Sequence, residues 1–354
     1  MRAVCLPVAV CCLLALAPLA GCGGGSGATA TEPGTAESRS APPAGAFPDP
    51  FGRSLREVMQ LTDKPAEVVV SPEAMVFDAG ENRYPFGIFR GEEEVTDAEV
   101  AIYFSRVPPV EEGARSKPGV KGQAIKAQDE ALDEEAIGPF PASIESIEAE
   151  PAFRADPDAE GPEPGSVVYA AEVDFPADGE WRMGAIIREG EETSSRLLPI
   201  VSVGEFTQVP RVGQQAPKID TPTAEEVGGD LSKITTREPP DTQNQVDYAD
   251  ALGKEPIVLL FATPKFCQSR VCGPVVDVAE QANEEYGDEA AFIHMEIYKE
   301  NDPDQATRPQ VRRFHLPTEP WLYAIDRQGT IRAAVEGAFG PELMDEAVQA
   351  AVGR

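Results

Sequence analysis

Short runs in which apolar and polar residues alternate recur between residues 66 and 204, and turn residues such as Gly and Pro separate them. Alternation of this kind is typical of β-strands with one buried face. The runs cover residues 67–70, 74–77, 86–89, 99–104, 166–175, 180–187 and 198–203. Short strands in this number predict an all-β sandwich of immunoglobulin-like type.

One long stretch interrupts these runs. Residues 108–165 are acidic and rich in Pro, with carboxylates grouped around Asp129 and Asp133. They lack the spaced Asp/Asn, Gly and Glu positions that a calcium-binding loop requires. We interpret the stretch as a solvated acidic insertion in the sandwich.

The pattern changes after residue 256, where longer helical periods alternate with buried strands. Residues 274–286 place Val275, Val278, Ala279 and Ala282 on one face, as an amphipathic helix does. The predicted order is a strand at 257–262, that helix, a strand at 291–298, a hairpin of 320–326 and 330–335, and a helix at 341–352. This β-α-β unit followed by β-β-α indicates an α/β domain.

Two motifs in this region resemble the thioredoxin family. The segment from Phe261 to Cys267 is similar to the family's Phe-x-Ala-x-Trp-Cys motif, and Glu319 to Gly329 is similar to its cis-proline segment. The resemblance implies an α/β thioredoxin-like C-terminal domain, preceded by the all-β immunoglobulin-like sandwich. It also implies that Cys267, Cys272 and Pro320 are catalytic, that Pro320 is cis, and that Glu319 and Trp321 bind substrate.

The N-terminus has the features of an export signal. A basic start is followed by an apolar stretch over residues 3–19, and Leu19-Ala20-Gly21-Cys22 resembles the bacterial lipobox. The resemblance implies cleavage before Cys22 and lipidation of that residue. We therefore expect a cell-membrane protein, lipid-anchored on the extracytoplasmic face.

The cysteine count then isolates one pair. Of the six cysteines, three would leave with the signal peptide and Cys22 would carry the lipid, so Cys267 and Cys272 remain. An oxidising compartment favours a disulfide between them. The formal net charge of −31 argues against nucleic acid as a partner. We expect protein thiols or disulfides of the cell envelope as partners, the membrane through Cys22, and no cofactor.

The spacing of the pair departs from the thioredoxin pattern, because four residues separate Cys267 from Cys272 instead of two. Residues five apart on a regular helix have Cα atoms roughly 8 to 9 Å apart, which is too far for a disulfide. Gly273 and Pro274 therefore predict a helix that begins after both cysteines. Lys265 and Arg270 flank the pair and would favour thiolate. Which cysteine attacks stays open.

These features predict a thiol-disulfide oxidoreductase, with three alternatives. Peroxidase activity is less favoured, because Pro264 lies where peroxiredoxins carry a threonine. A copper-binding assembly factor of the cytochrome-oxidase type would use Cys267, Cys272 and His315, whereas the main hypothesis includes no metal. The third alternative is a non-catalytic binding module in which the disulfide is structural.

The predicted domain organisation follows from these boundaries. It comprises a lipoprotein signal peptide at 1–22, a flexible stalk rich in Gly, Ser and Pro at 23–65, the β-sandwich at 66–204 with its acidic insertion at 108–165, a linker at 205–218, and the thioredoxin-like domain at 219–354.

Overall fold

Two β-sheets account for the thirteen strands that the structure describes. The computed structural model describes residues 36–109, 120–157, 159–161 and 164–354, so the predicted signal peptide and Cys22 lie outside these residues. The strands are β1 Lys64–Pro65, β2 Val69–Pro72, β3 Gly80–Arg90, β4 Glu93–Glu94, β5 Glu99–Arg106, β6 Ile137–Ser146, β7 Val167–Phe175, β8 Gly179–Glu189, β9 Glu192–Val203, β10 Ile257–Phe261, β11 Ala291–Met295, β12 Trp321–Ile325 and β13 Ile331–Glu336.

Six α-helices accompany these strands within the described residues. They are α1 Leu55–Met59, α2 Val120–Glu130, α3 Tyr248–Ala251, α4 Cys272–Tyr286, α5 Pro309–Arg313 and α6 Pro341–Val352. Short 3-10 helices cover Ala44–Ala46, Ala131–Asp133, Pro151–Phe153, Leu231–Lys233 and Lys299–Asn301. Three of the six α-helices have five residues or fewer, so strands dominate the architecture.

The larger sheet contains nine strands in the order β1-β9-β8-β5-β6-β7-β3-β2, with β4 paired to β3. Strand β6 joins the two halves of this sheet. Its first half pairs with β5, where Pro141 lies opposite Ala101, and its second half pairs with β7, where Ala142 lies opposite Ala171. The sheet is therefore continuous and encloses one apolar core, to which β2, β3 and β5–β9 contribute.

The predicted two-sheet sandwich is wrong for this reason. We assigned residues 108–165 to a solvated loop, yet they contain α2 and the connecting strand β6. Pro139 and Pro141 within β6, together with the polar residues on either side of it, obscured the strand pattern. Alternation shows which face of a strand is buried, but not which strand lies at each edge.

The smaller sheet has the order β11-β10-β12-β13, with β10 parallel to β11 and antiparallel to β12. Helices α4 and α6 pack in one apolar cluster with residues of β10, β11, β12 and β13. A second cluster on the other face includes Tyr248, Val311 and Phe314 from α3, α5 and the segment after it. All five residues of β10 are buried, as the continuous apolar run predicts.

The expected fold class, an α/β thioredoxin-like domain after an immunoglobulin-like sandwich, is contradicted. The described chain is mainly β, with a curled nine-stranded sheet and a four-stranded sheet. The separate strands and helices predicted for residues 257–352 do occur, with ends that shift by up to about three residues. The class assigned to them placed too much weight on two motifs and on element order.

Helix α4 begins earlier than predicted. Cys272 is its first residue and Val271 caps it, whereas we expected the helix to start after both cysteines. The first intrahelical hydrogen bond runs from the Val275 amide to the Val271 carbonyl, at 3.0 Å. Pro274 lies in the first turn of α4, where a backbone amide has no intrahelical acceptor, so its missing N–H costs no hydrogen bond. The helix can therefore begin before Pro274.

Candidate functional site

The predicted disulfide is confirmed, since Cys267 and Cys272 are bonded to each other with Cα atoms 5.8 Å apart. Only Cys272 belongs to α4, so the bridge joins the helix start to the preceding loop. Arg270 adopts a left-handed conformation, with φ 67°, and this reverses the chain between the cysteines. The reversal brings the Cα atoms into the range that a disulfide needs.

Hydrogen-bond donors converge on the sulfur of Cys267. The Cys272 amide donates to Cys267 Sγ at 3.3 Å, and the Ser269 hydroxyl lies 3.2 Å from the same atom. Donors of this kind stabilise a thiolate more than a thiol. The local geometry therefore favours Cys267 as the sulfur that carries negative charge in the reduced protein.

The bridge is almost inaccessible in this conformation. Cys267 is 2% exposed and Cys272 is fully buried. Both belong to one apolar cluster with Ile147, Ala149 and Val168 of the larger sheet and the connection that follows β6. The disulfide thus lies where the two sheets pack together.

The two cations predicted to tune the thiols have other partners. Lys265 forms an ion pair with Glu160. The guanidinium of Arg270 lies 5.6 Å from the ring centroid of Phe89 and donates to the Glu92 carbonyl at 3.0 Å. The positive end of α4, at Cys272, remains as a source of thiolate stabilisation.

Glu319 and Pro320 lie immediately before β12. The Glu319–Pro320 peptide bond is cis, and the Pro320 carbonyl accepts the Gly337 amide at 3.0 Å. Trp321, expected to bind substrate, is 4% exposed and donates its indole N–H to Thr318 Oγ1 at 3.1 Å. Its ring is therefore part of the core. Burial, with the nearby Glu296 carboxylate, raises the pKa of Glu319.

Sequence analysis missed a buried polar cluster beneath this region. His294 Nδ1 donates to Asp241 Oδ2 at 2.9 Å, and His294 Nε2 donates to the Ala262 carbonyl at 3.2 Å. Thr235 donates its hydroxyl to the same Asp241 oxygen at 2.7 Å. Residues 219–250 show no helical or strand periodicity that would have placed Thr235 or Asp241 in the core. His294 on a buried strand was the one signal that a polar partner was needed.

Glu296 is a second buried group that we did not predict as part of the site. Thr236 donates its amide to Glu296 Oε1 at 2.7 Å, and its hydroxyl bonds to the same oxygen. The Thr236 hydroxyl also accepts the Lys265 amide at 3.3 Å, which links the carboxylate to the cysteine loop. Glu296 Oε2 is buried without a hydrogen-bond partner among the described residues.

A buried ion pair ties α4 to the preceding loop. Arg237 Nε donates to Asp277 Oδ1 at 2.7 Å, and Arg237 Nη2 donates to the Phe153 carbonyl at 2.6 Å. Asp277 Oδ2 also accepts the Ala155 amide at 2.9 Å. The helix that carries Cys272 is thereby held to the connection between β6 and β7.

The alternative copper site is not assembled. His315 is exposed, with φ 56°, and follows α5. In the part of the chain that the structure describes, no group of three or more His, Cys, Asp or Glu side chains is placed to hold a metal ion. The set Cys267, Cys272 and His315 therefore receives no support from the geometry.

No family model matches the chain, and no curated protein matches it. Within the described residues, no helix is long and apolar enough to span a membrane.

Proposed function

We propose that this protein carries out thiol-disulfide exchange at the Cys267–Cys272 bridge, with protein thiols or disulfides of the cell envelope as partners. The observation that carries the proposal is the pair of donors on Cys267 Sγ, together with the start of α4 at Cys272. Both stabilise the thiolate that exchange requires. The lipobox-like sequence at Cys22 supports lipid anchoring on the extracytoplasmic face of the cell membrane.

A partner dithiol supplies the two electrons that reduce the Cys267–Cys272 bridge. A partner thiolate attacks the sulfur of Cys267, the bond between the two sulfurs breaks, and Cys272 leaves as the thiolate at the start of α4. The second partner thiol then attacks the partner sulfur of the mixed disulfide. The partner is oxidised to a disulfide, and Cys267 and Cys272 are reduced to thiols. In the reverse direction, Cys267 thiolate attacks a partner disulfide and Cys272 resolves the mixed disulfide.

Single cysteine variants test this assignment. In the reverse direction we expect Cys272→Ser to accumulate a mixed disulfide with a reactive disulfide substrate, because Cys267 attacks and no resolving thiol remains. Cys267→Ser should trap at least about tenfold less, since Cys272 lacks the two donors. Mass spectrometry of the full chain after acid quenching measures the trapped species, with the double variant as the control.

The burial of both sulfurs favours a second function, a structural bridge in a binding module. A structural bridge resists physiological reductants until the protein unfolds. Measuring the reduction potential of the couple in the native protein separates the two. A potential beyond the reach of a thioredoxin-like reductant, with no mixed disulfide in either variant, would contradict the exchange function.

A further inference from the structure

A small contact between the sheets, here called the cover, is made on Arg270 in the loop that joins the two cysteines. The cover consists of Phe89, Glu92 and Gly165, all from the larger-sheet region. The Gly165 amide donates to the Arg270 carbonyl at 3.0 Å. The Arg270 side chain reaches the other two residues, with the Glu92 carbonyl at 3.0 Å and the Phe89 ring centroid at 5.6 Å. Arg270 therefore contacts the cover through both its main chain and its side chain.

The cover is itself held in place. The Glu94 carboxylate accepts both the Ser166 amide at 2.9 Å and the Ser166 hydroxyl at 2.6 Å. This bond joins the hairpin of β3 and β4 to the segment that contains Gly165. A Cβ at position 165 would lie 3.3 Å from Glu94 Oε1 and 3.6 Å from Ile147 Cδ1, and Ile147 belongs to the apolar cluster that contains the disulfide.

A reagent must reach the buried sulfurs before exchange can begin. A thiolate must approach the sulfur that it attacks, and access limits the rate of exchange. With Cys267 at 2% and Cys272 at 0% exposure, attack requires local opening. A small thiol needs a smaller opening than a folded protein whose surface surrounds its own thiol.

We propose that Arg270 is a specificity-determining residue, whose contact with the cover admits small thiols to the Cys267–Cys272 bridge and holds back protein dithiols until the contact opens. The proposal rests on the proposed exchange function and concerns access of reagents to the same site. Loss of the Arg270 side chain removes the bond to Glu92 and the contact with Phe89, while the bond from Gly165 to the main chain remains.

Reduction rates of the oxidised full chain test the proposal. Arg270→Ala is compared with Arg270→Asn, because asparagine tolerates the left-handed conformation at this position. Arg90→Ala is the matched control, since it removes a guanidinium from the same hairpin, where Arg90 Nη2 pairs with Glu189 at 2.7 Å. The reductants are dithiothreitol and a small reduced protein with a Cys-X-X-Cys pair.

We expect the rate with the protein dithiol to rise about tenfold in both Arg270 variants, because the open population grows as the lost contacts weaken the closed state. The rate with dithiothreitol should change by less than about twofold, because a small reagent needs less opening. Arg90→Ala should match the wild type with both reagents. Faster amide exchange at Gly165 in the Arg270 variants is the expected second result.

Two results would overturn the proposal. In one, the Arg270 variants react like Arg90→Ala and Gly165 exchanges no faster. In the other, the reduction rates with both reductants rise equally, which indicates a change in the bridge itself and not in access to it. Failure of the exchange function is recognised separately, by a native bridge that neither reductant opens in any variant and by the absence of trapping in Cys272→Ser.

Discussion

At the scale of single residues, the buried pair of His294 and Asp241 couples folding to pH. Burial alone would lower the pKa of His294, but the Asp241 carboxylate outweighs it, so the pKa of His294 lies above its ordinary value. Burial acts to raise the pKa of Asp241, but His294 and the hydrogen bond from Thr235 outweigh it and lower this pKa to about 2. The pair therefore stabilises the folded state between the two titrations.

The sign of this linkage is specific. A raised pKa of His294 gives stabilisation that is complete below the unfolded value near 6.5 and is lost as pH rises through the folded value. The lowered pKa of Asp241 gives stabilisation above the ordinary carboxyl range that is lost as pH falls toward about 2. We expect the free energy of unfolding to decrease as pH rises above about 6.5, through the contribution of this pair.

Replacing the histidine tests this. His294→Gln should lower the free energy of unfolding by about 3 kcal/mol at pH 6, because it leaves Asp241 as a buried charge without its cation. In this variant, the decrease in the free energy of unfolding at alkaline pH that we assign to the pair should disappear. Urea denaturation across the pH range measures both effects. His315→Gln is the matched control, since His315 is the other histidine of the chain and is exposed. Equal slopes in the two variants would contradict the assignment.

At the scale of elements, the start of α6 packs directly on the end of β6. Gly340 caps α6, and a Cβ at this position would lie only 2.0 Å from the Ser146 carbonyl oxygen. Its φ of −96° is open to any residue, so close approach and not backbone conformation requires the glycine. The strand that completes the larger sheet is thereby also the surface on which a helix of the smaller sheet begins.

A methyl group at this contact must displace one of the two elements. We expect Gly340→Ala to lower the free energy of unfolding by about 1–3 kcal/mol, as overpacked sites do. Gly273→Ala, at the second position of α4, is the control because no atom lies within 4 Å of its added Cβ. Chemical denaturation of the two variants gives the comparison. An equal change in the free energy of unfolding at both positions would show that helix propensity, and not packing, determines the effect of the substitution.

At the scale of the whole molecule, buried carboxylates join the two sheets. Glu73 accepts the Ala338 amide at 3.0 Å, and Glu336 accepts the amides of Met75 and Val76, each at 2.9 Å. Burial raises the pKa of Glu73 to about 7, although its hydrogen bond with Ala338 opposes the shift. The folded state therefore holds a proton on Glu73 that the unfolded chain releases at lower pH.

This junction should weaken as pH rises. The stabilisation that a protonated Glu73 provides is present below its ordinary pKa and is lost as pH rises toward about 7. Glu73→Gln keeps an acceptor for Ala338 and removes the charge, so we expect it to raise the free energy of unfolding at pH 8 by about 2 to 3 kcal/mol. Glu81→Gln, at an exposed position of β3, is the control. A thermal or urea unfolding series between about pH 5 and pH 8 measures the difference, and a variant that titrates like the wild type would refute this role.

Local chemistry made part of the site predictable. The strand before Cys267 and the helices at 272–286 and 341–352 show the periods of 2 and 3.6 residues, or the apolar runs, that local geometry imposes. The disulfide followed from the count of cysteines and from the oxidising compartment that the export signal implies. The early start of α4 did not, because one turn of helix can begin on either side of Gly273 and Pro274.

The sequence by itself determined the segments that are buried, the cysteine pair and most helix and strand positions in residues 257–352, because each depends on residues close together in the chain. Only the tertiary structure decided that β6 unites the larger sheet, that Arg270 contacts a cover over the disulfide, and that His294 meets Asp241. Each of these contacts joins residues about 30 to 180 positions apart. Periodicity describes the face that a residue presents, and partners at such separations are selected by the packing of the complete chain.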